Sequence, residues 1–249
     1  MGELTILPLT RVPEVVPGDN LGRLLVEAAA AEGIRFRPRD LLVVTQKVVS
    51  KAEGRLVELA RVTPSPFSRQ LAARLAKDPR LVEVILQESR RIVKMAREIL
   101  ITETPHGLVC ANSGVDASNV PPGYVSLLPR DPDRSALQLR EEVCRRTGVR
   151  VGVVITDTFG RPWRVGLTEV AIGVAGLRPL VDHRGEKDHF GKLLRVTVVA
   201  VADHLAAAAG LVMEKAARIP AAVVRGYRAS PGRGKGRQLI RPPEEDLFR

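Results

Sequence analysis

The sequence predicts a mixed α/β (α+β) protein, with irregular mixed sheets and flanking helices, of neither Rossmann nor P-loop type. Three observations carry that expectation. Short runs rich in Val, Ile and Leu recur along the 249 residues, as strands do. Segments with apolar residues at helical spacing fall between only some of them, so strand and helix do not alternate as in a simple parallel sheet. Neither Gly-x-Gly-x-x-Gly nor Gly-x-x-x-x-Gly-Lys-Ser/Thr occurs, and the run Gly232 to Gly236 lacks the spacing and the following helix of a P-loop.

Taken in order, residues 4–7 form a first strand. Asp19 can cap a helix through Leu21, Leu24, Leu25 and Ala28, which Gly33 ends. Residues 41–45 are a continuous apolar strand. Ser65-Pro66 opens a second helix through Leu71 and Leu75, and Pro79 a third with Leu81, Val84, Ile85 and Glu88 at helical spacing. Strands are expected again at residues 107–110 and 124–128. Asp133 or Ser135 can start a helix through Leu137, Val143 and Cys144. Strands at 151–156, 170–174 and 194–201, a helix over 204–217 and a strand at 221–224 complete the pattern. Residues 1–227 read as one catalytic unit, with room for two intertwined subdomains. Residues 228–249, rich in Gly, Pro and charge, read as a surface tail, basic and then acidic.

Composition narrows the function. With 45% apolar residues the chain can bury a core. The net charge is +11, yet the 31 Arg and 8 Lys are scattered, which suits a small anionic ligand in a cleft. One Trp, two Tyr and five Phe are too few for a platform on which nucleic-acid bases stack. Cys110 and Cys144 cannot make a zinc ribbon or a disulfide framework. Glu3 and Pro8 interrupt any leader-like start, and the longest apolar stretch, residues 196–213, is broken by Asp203 and His204. The expectation is a cytoplasmic protein without a membrane or nucleic-acid partner.

The four His have no metal-ligand spacing, and no Gly-x-Ser-x-Gly or His-Glu-x-x-His occurs. Carboxylates, amides and backbone must then build any site. The apolar strand at 151–156 runs into Asp157 and Thr158, delivering a carboxylate and a hydroxyl to a sheet edge, where hard oxygen ligands can hold Mg²⁺ or Mn²⁺. An Asx-turn before Gly160 accounts for Asp157 equally. The strand at 107–110 leads to Asp116 and Asn119, three apart and able to point inward from one loop, or simply to cap a turn. Gln46-Lys47-Val48-Val49-Ser50-Lys51 follows the strand at 41–45. Lys47 and Lys51 share a face if the segment is helical, which fits either phosphate neutralisation or a solvated surface.

Together these blocks resemble the coenzyme F-420 gamma-glutamyl ligase family. The resemblance lies in the run from Gln46 to Arg55, Glu88-Ser89, the run from Ala111 to Val120, Leu128-Pro129 with Asp131-Pro132-Asp133, Ile155 to Arg161, Ala171-Ile172-Gly173, Asp188 with Gly191, and Ile219 to Gly226. It implies a GTP-dependent ligase that forms amide bonds from L-glutamate to the deazaflavin coenzyme precursor through an acyl phosphate, then gamma-linked bonds to further glutamates. It also implies Mg²⁺ or Mn²⁺, two per site, K⁺, and a homodimer. By position, Asp116, Asp157, Thr158 and Glu214 would ligate metal. Val12, Pro13, Glu14, Val15, Gln46, Lys47, Lys51, Asn119 and the segment Met213, Glu214, Lys215, Ala216, Ala217, Arg218 and Ile219 would line the nucleotide. Asp116, Asp157, Lys47 and Lys51 would carry the chemistry. One departure stands out: the family usually reads Met-Gly-Glu or Met-Gly-Gln where this chain reads Met213-Glu214-Lys215, so an ammonium replaces a cation ligand unless Glu214 takes its place. Two other readings remain: a metal- and nucleotide-dependent amide ligase for a different acid or amine, and a non-enzymatic polyanion (RNA) binder.

Overall fold

A computed structural model describes residues 3–214 and 217–246. Its centre is a five-stranded sheet in the order β1-β12-β2-β8-β9. These strands are β1 (Thr5–Pro8), β2 (Leu41–Thr45), β8 (Gly152–Arg161), β9 (Arg164–Ala175) and β12 (Ala221–Arg225). β2 pairs parallel with β8, while β12 runs antiparallel to both β1 and β2. The sheet is therefore mixed, as the irregular element order implies. Successive residues of β2 explain why its run is wholly apolar. Leu42 and Val44 enter the cluster under α1 (Leu21–Ala31) and α5 (Pro132–Thr147), and Leu41 and Val43 enter the one under α6 (Val201–Gly210).

A third apolar cluster lies between α2 (Gln46–Ala52) and α5 in the chain. It gathers Leu71 and Leu75 of α3 (Pro66–Leu75), Val82 and Ile85 of α4 (Pro79–Gln87), and Leu100 of β5 (Ile99–Glu103). β5 pairs with β4 (Arg91–Ala96) and β6 (Val109–Ala111), and β3 (Leu56–Glu58) with β7 (Tyr124–Ser126). β10 (Leu180–Asp182) and β11 (Val198–Ala200) form a separate antiparallel pair.

Several local expectations need correction. α1 is capped by Asn20, whose side chain accepts from Arg23 N at 2.9 Å; Asp19 instead accepts from Val16 N and holds the preceding turn. Asp131, not Asp133 or Ser135, caps α5. α6 spans Val201–Gly210, not 204–217, because its amino end starts directly after β11 and the chain turns away after Gly210. Residues 194–197 are not strand.

The expected tail is on the surface but docked. Arg178 N donates to Ser230 O at 2.9 Å, and Gly236 is buried, with its N–H donating to Asp133 Oδ1 at 2.6 Å. The same oxygen accepts from Val174 N at 2.9 Å, so Asp133 fastens α5, β9 and the strap together. Removing an acceptor shared by two half-buried amides is expected to destabilise by about 2 kcal/mol. In a urea titration Asp133→Ala should lower the midpoint and Asp133→Asn, which keeps a carbonyl acceptor, should recover most of it; an unchanged midpoint for Asp133→Ala contradicts the role.

Candidate active site

Sheet direction decides where chemistry can gather. β1 and β2 end at the same edge, where β12 begins and where β8 loses its β2 partner after Thr156. The loop after β1 is tied to that edge by Leu9 N to Ala221 O at 2.8 Å, and Thr45 N donates to Pro220 O at 2.8 Å. β8 and β9 continue past the edge as a two-stranded arm reaching Arg161 and Arg164.

α2 begins at this edge directly after Thr45, so Gln46 is buried under the sheet. The helix confirms the geometric condition for Lys47 and Lys51, but neither lies on a solvated face. Lys47 Nζ donates to Asp116 Oδ2 and Ser126 Oγ, each at 2.7 Å, and Lys51 Nζ to Glu14 Oε1 at 2.5 Å. The Lys51 side chain is only 9% exposed.

Asp116 is presented by a tightly specified loop. Asn112, Ser113 and Gly114 all have positive φ, and a side chain at Gly114 would strike Leu128. Ser113 is buried and hydrogen-bonded to both Ser89 Oγ and Thr102 Oγ1 at 2.6 Å, which pins the turn to β5 and, through the Ser89 hydroxyl that donates to Ile85 O, to the end of α4. Asp116 then exchanges backbone bonds with Ser126, while Ser118 donates to both of its carboxylate oxygens. Burial pushes the Asp116 carboxyl up, but the Lys47 ammonium and Ser118 more than offset it and hold it below the usual carboxylate range.

Asp157 behaves in the opposite way. Burial raises its carboxyl to about 6, and the neighbouring Glu169 carboxylate adds to that, against hydrogen bonds from Thr158 N and the Gln46 side chain and the attraction of Lys47. Asp157 also helps burial to push the Cys110 thiol up to about 12, so that thiol stays protonated and is no nucleophile. Thr158 Oγ1 donates to Glu169 Oε1 at 2.5 Å.

Gln46, Lys47, Asp116 and Asp157 are thus brought together, with Thr158 beside them and Lys51 and Glu14 at the far end of α2. Val12 packs on the core, Val15 and Met213 are buried in it and Ile219 packs against it, so these could line a ligand mainly with backbone. Pro13, Glu14, Asn119, Glu214, Ala217 and Arg218 are exposed. Lys215 and Ala216 lie outside the described residues. Sequence reasoning missed Ser126, Ser118 and Glu169, whose places depend on strand pairing.

Among the described residues no three His, Cys, Asp or Glu side chains are grouped to hold a metal ion. The donor set nevertheless suits one that shares its coordination with phosphate. Asp157 is a carboxylate hindered from ionising by burial and by Glu169, and Lys47, whose charge attracts it, is bonded to Asp116. Mg²⁺ needs only one or two carboxylates when phosphate and water complete its shell.

Residues 10–226 match the family described as F420-0:Gamma-glutamyl ligase. The chain belongs to this family. It is similar to the coenzyme F420:L-glutamate ligase of Methanopyrus kandleri, 48% identical with 100% of each chain covered. It also resembles the proteins of that name from Methanocaldococcus jannaschii, 46% identical over 92% of this chain and 90% of the relative, and Methanothermobacter thermautotrophicus, 43% over 99% of each. It is therefore a ligase, an enzyme forming carbon–nitrogen bonds. Every residue of the edge cluster falls within the segment matched to the family.

Proposed function

We propose that this ligase joins the amine of L-glutamate to the carboxylate of the F-420-0 precursor, and then to gamma-carboxylates of glutamates already added, with GTP as phosphoryl donor. The observation that carries the proposal is the meeting of Asp116, Asp157, Gln46 and Lys47 at one sheet edge inside the family-matched segment. A carboxylate is a poor electrophile. Attack by its oxygen on the γ-phosphorus forms an acyl phosphate and releases GDP. The glutamate nitrogen then attacks the acyl carbon, phosphate departs, and the amine loses its proton to form the amide.

The chain's part is positioning and charge. Asp116, Asp157, Thr158 and Glu214 would hold Mg²⁺ or Mn²⁺, which when bound neutralises developing charge on phosphoryl oxygens. Lys47 keeps Asp116 ionised and aimed, and its ammonium would meet a phosphate. Lys51 and Glu14 tether the loop after β1 to α2, which favours that loop, with Asn119 and residues 213–219, as the nucleotide border. K⁺ belongs to the same proposal as a helper of phosphate charge. No protein nucleophile is required, consistent with the protonated Cys110. The arm carries Trp163, Val165 and Leu167 at 84%, 95% and 64% exposure, which supports a homodimer. With so few aromatics, the coenzyme's phosphate and carboxylate ends should dominate its recognition.

The test is incubation of the purified protein with GTP, Mn²⁺, L-glutamate and the deazaflavin precursor, with products read by mass spectrometry. Successive additions of one glutamate, with GDP and phosphate formed in equal amount, are expected. GTP consumption only with another acid or amine would refute the substrate assignment, and equal rates with ATP would refute the nucleotide assignment.

A further inference from the structure

We infer that the strap over residues 231–237 is a cationic track that holds the oligo-γ-glutamate tail of the growing coenzyme. The inference rests on the reading that glutamates are added to gamma-carboxylates already present. It goes beyond that reading in assigning Arg178, Arg233, Lys235 and Arg237, which the chemistry above leaves unused. β9 is the outermost strand of the central sheet, so its free side needs a cover. The strap supplies one. Pro231 bridges to Leu177, and side chains at Gly232, Gly234 and Gly236 would strike Arg178, Leu177 with Pro179, and Ile172 respectively. Glycine at every second residue is what lets the backbone lie this close to β9 and the turn after it.

The same alternation sends Arg233 and Lys235 outward. Lys235 is extended, at φ −132° and ψ 145°, so these two cations are set about 6.6 Å apart along the strap. Arg237 follows in the next turn and Arg178 flanks Gly232; all four side chains are exposed. Among the described residues none of the four forms an ion pair. Arg178 and Arg233, with Leu180 and Gln238, line a cavity of about 370 Å³ that has neither a carboxylate nor an aromatic ring in its wall. Like charges set side by side repel, so the row is stabilised by an anion. A row of cations suits a row of anions, and an extended γ-linked glutamate chain repeats its carboxylate about every 6 Å. The absence of rings in that wall disfavours nucleic-acid bases. Direction agrees as well. The strap runs from Leu177, past the end of β9, back to Ile172, which is two residues, about 7 Å, from Val170, the partner of Asp157. A chain with its terminal carboxylate at the catalytic edge would trail its older glutamates along the strap.

The test is calorimetric titration of the full chain with γ-linked tetraglutamate, in the absence of nucleotide and metal so that turnover plays no part. The parent should bind the peptide, and Arg233→Gln combined with Lys235→Gln should weaken binding about ten-fold. Arg74→Gln, which removes an exposed charge from α3, should leave it unchanged. In turnover the double variant should keep the parent's rate for the first glutamate and raise KM for acceptors that already carry several. Thermal melts of each variant show that it is folded. No binding by the parent, an equal loss in Arg74→Gln, or a KM rise that ignores acceptor length would overturn the inference. Displacement of the peptide by equimolar inorganic triphosphate or a short uridylate oligomer would overturn the assignment to a carboxylate chain. If the parent adds no glutamate to any acceptor, the reading beneath the inference fails with it. If the parent adds glutamates and the double variant binds tetraglutamate as the parent does, the track alone fails.

Discussion

Asp157→Asn should abolish ligation, by about 10³-fold or more, and at the same time stabilise the metal-free protein. The two effects have one origin. The Asp157 carboxyl titrates at about 6 in the folded chain against 3.8 for an unperturbed Asp, so between those values the native state holds a proton that the unfolded chain has lost. A raised carboxyl contributes stability that is present below about pH 4 and lost as pH rises through 6. The shift corresponds to at most about 3 kcal/mol of lost stability at pH 7.5. Asn has the shape of the protonated acid and no charge to bury, so it escapes that loss and cannot neutralise a cation. Denaturant titrations of metal-stripped protein at pH 4 and 7.5 should show variant and parent nearly equal at the lower pH and the variant more stable at the higher. Normal turnover of the variant in saturating Mn²⁺ would dismiss the catalytic role, and parallel pH profiles would dismiss the electrostatic one.

Asp116→Asn should also abolish ligation but with the opposite stability sign. Its carboxyl is lowered by Lys47 and Ser118, so its contribution is present above about pH 3.8 and is lost as pH falls through the lower folded value. The variant should therefore be less stable than the parent at neutral pH. Opposite signs from two Asp residues flanking one lysine would be hard to obtain from generic packing effects. They express a division of charge: Asp116 is matched by an ammonium before any ligand arrives, and Asp157 is held back for one.

That division was only half legible in the sequence. Wholly apolar runs announce central strands, so β2 is found at the expected residues, and Asp157 follows from where such a run stops. Ser65-Pro66 and Pro79 mark helix starts because a cap and a fixed φ act locally. β4 and β5 were not legible: Arg90, Arg91, Lys94, Arg97 and Glu98 surround a strand that is mostly exposed, so apolar periodicity is masked. The cap of α1 shifted by one because Asp19 and Asn20 are both competent, but the Asp19 carboxylate is taken by Val16 N while Asn20 Nδ2 is anchored by a tertiary bond to Glu142 Oε1 at 3.0 Å. α6 ends at Gly210, where Glu169 of β9 packs so closely that a side chain would strike it, a contact no local pattern contains. Glu169 itself is one glutamate before an apolar run until the hairpin register sets it against Thr158.

Lys47→Met should be nearly as damaging as loss of either aspartate, with kcat/KM falling about 10²–10³-fold. The ammonium is 15% exposed and bridges two elements, Asp116 of the strained loop and Ser126 of β7, while drawing Asp157 toward ionisation. Its removal leaves Asp116 half-buried with only Ser118 on its carboxylate, so both Asp carboxyls should shift upward and the activity profile should move to higher pH. Lys47→Arg should not restore the rate, since a planar fork cannot replace a compact ammonium bonded at 2.7 Å to two oxygens, one from the loop and one from β7. Lys51→Met provides the contrast. Lys51 ties Glu14 of the loop after β1, so its loss should raise KM for the nucleotide more than it lowers kcat. A double-mutant cycle with Lys47→Met and Asp116→Asn decides between a shared device and two separate ones. The damage should be far from additive, because after either change the other residue has lost its partner. Additive losses would mean that Lys47 meets phosphate alone and that its bond to Asp116 is incidental.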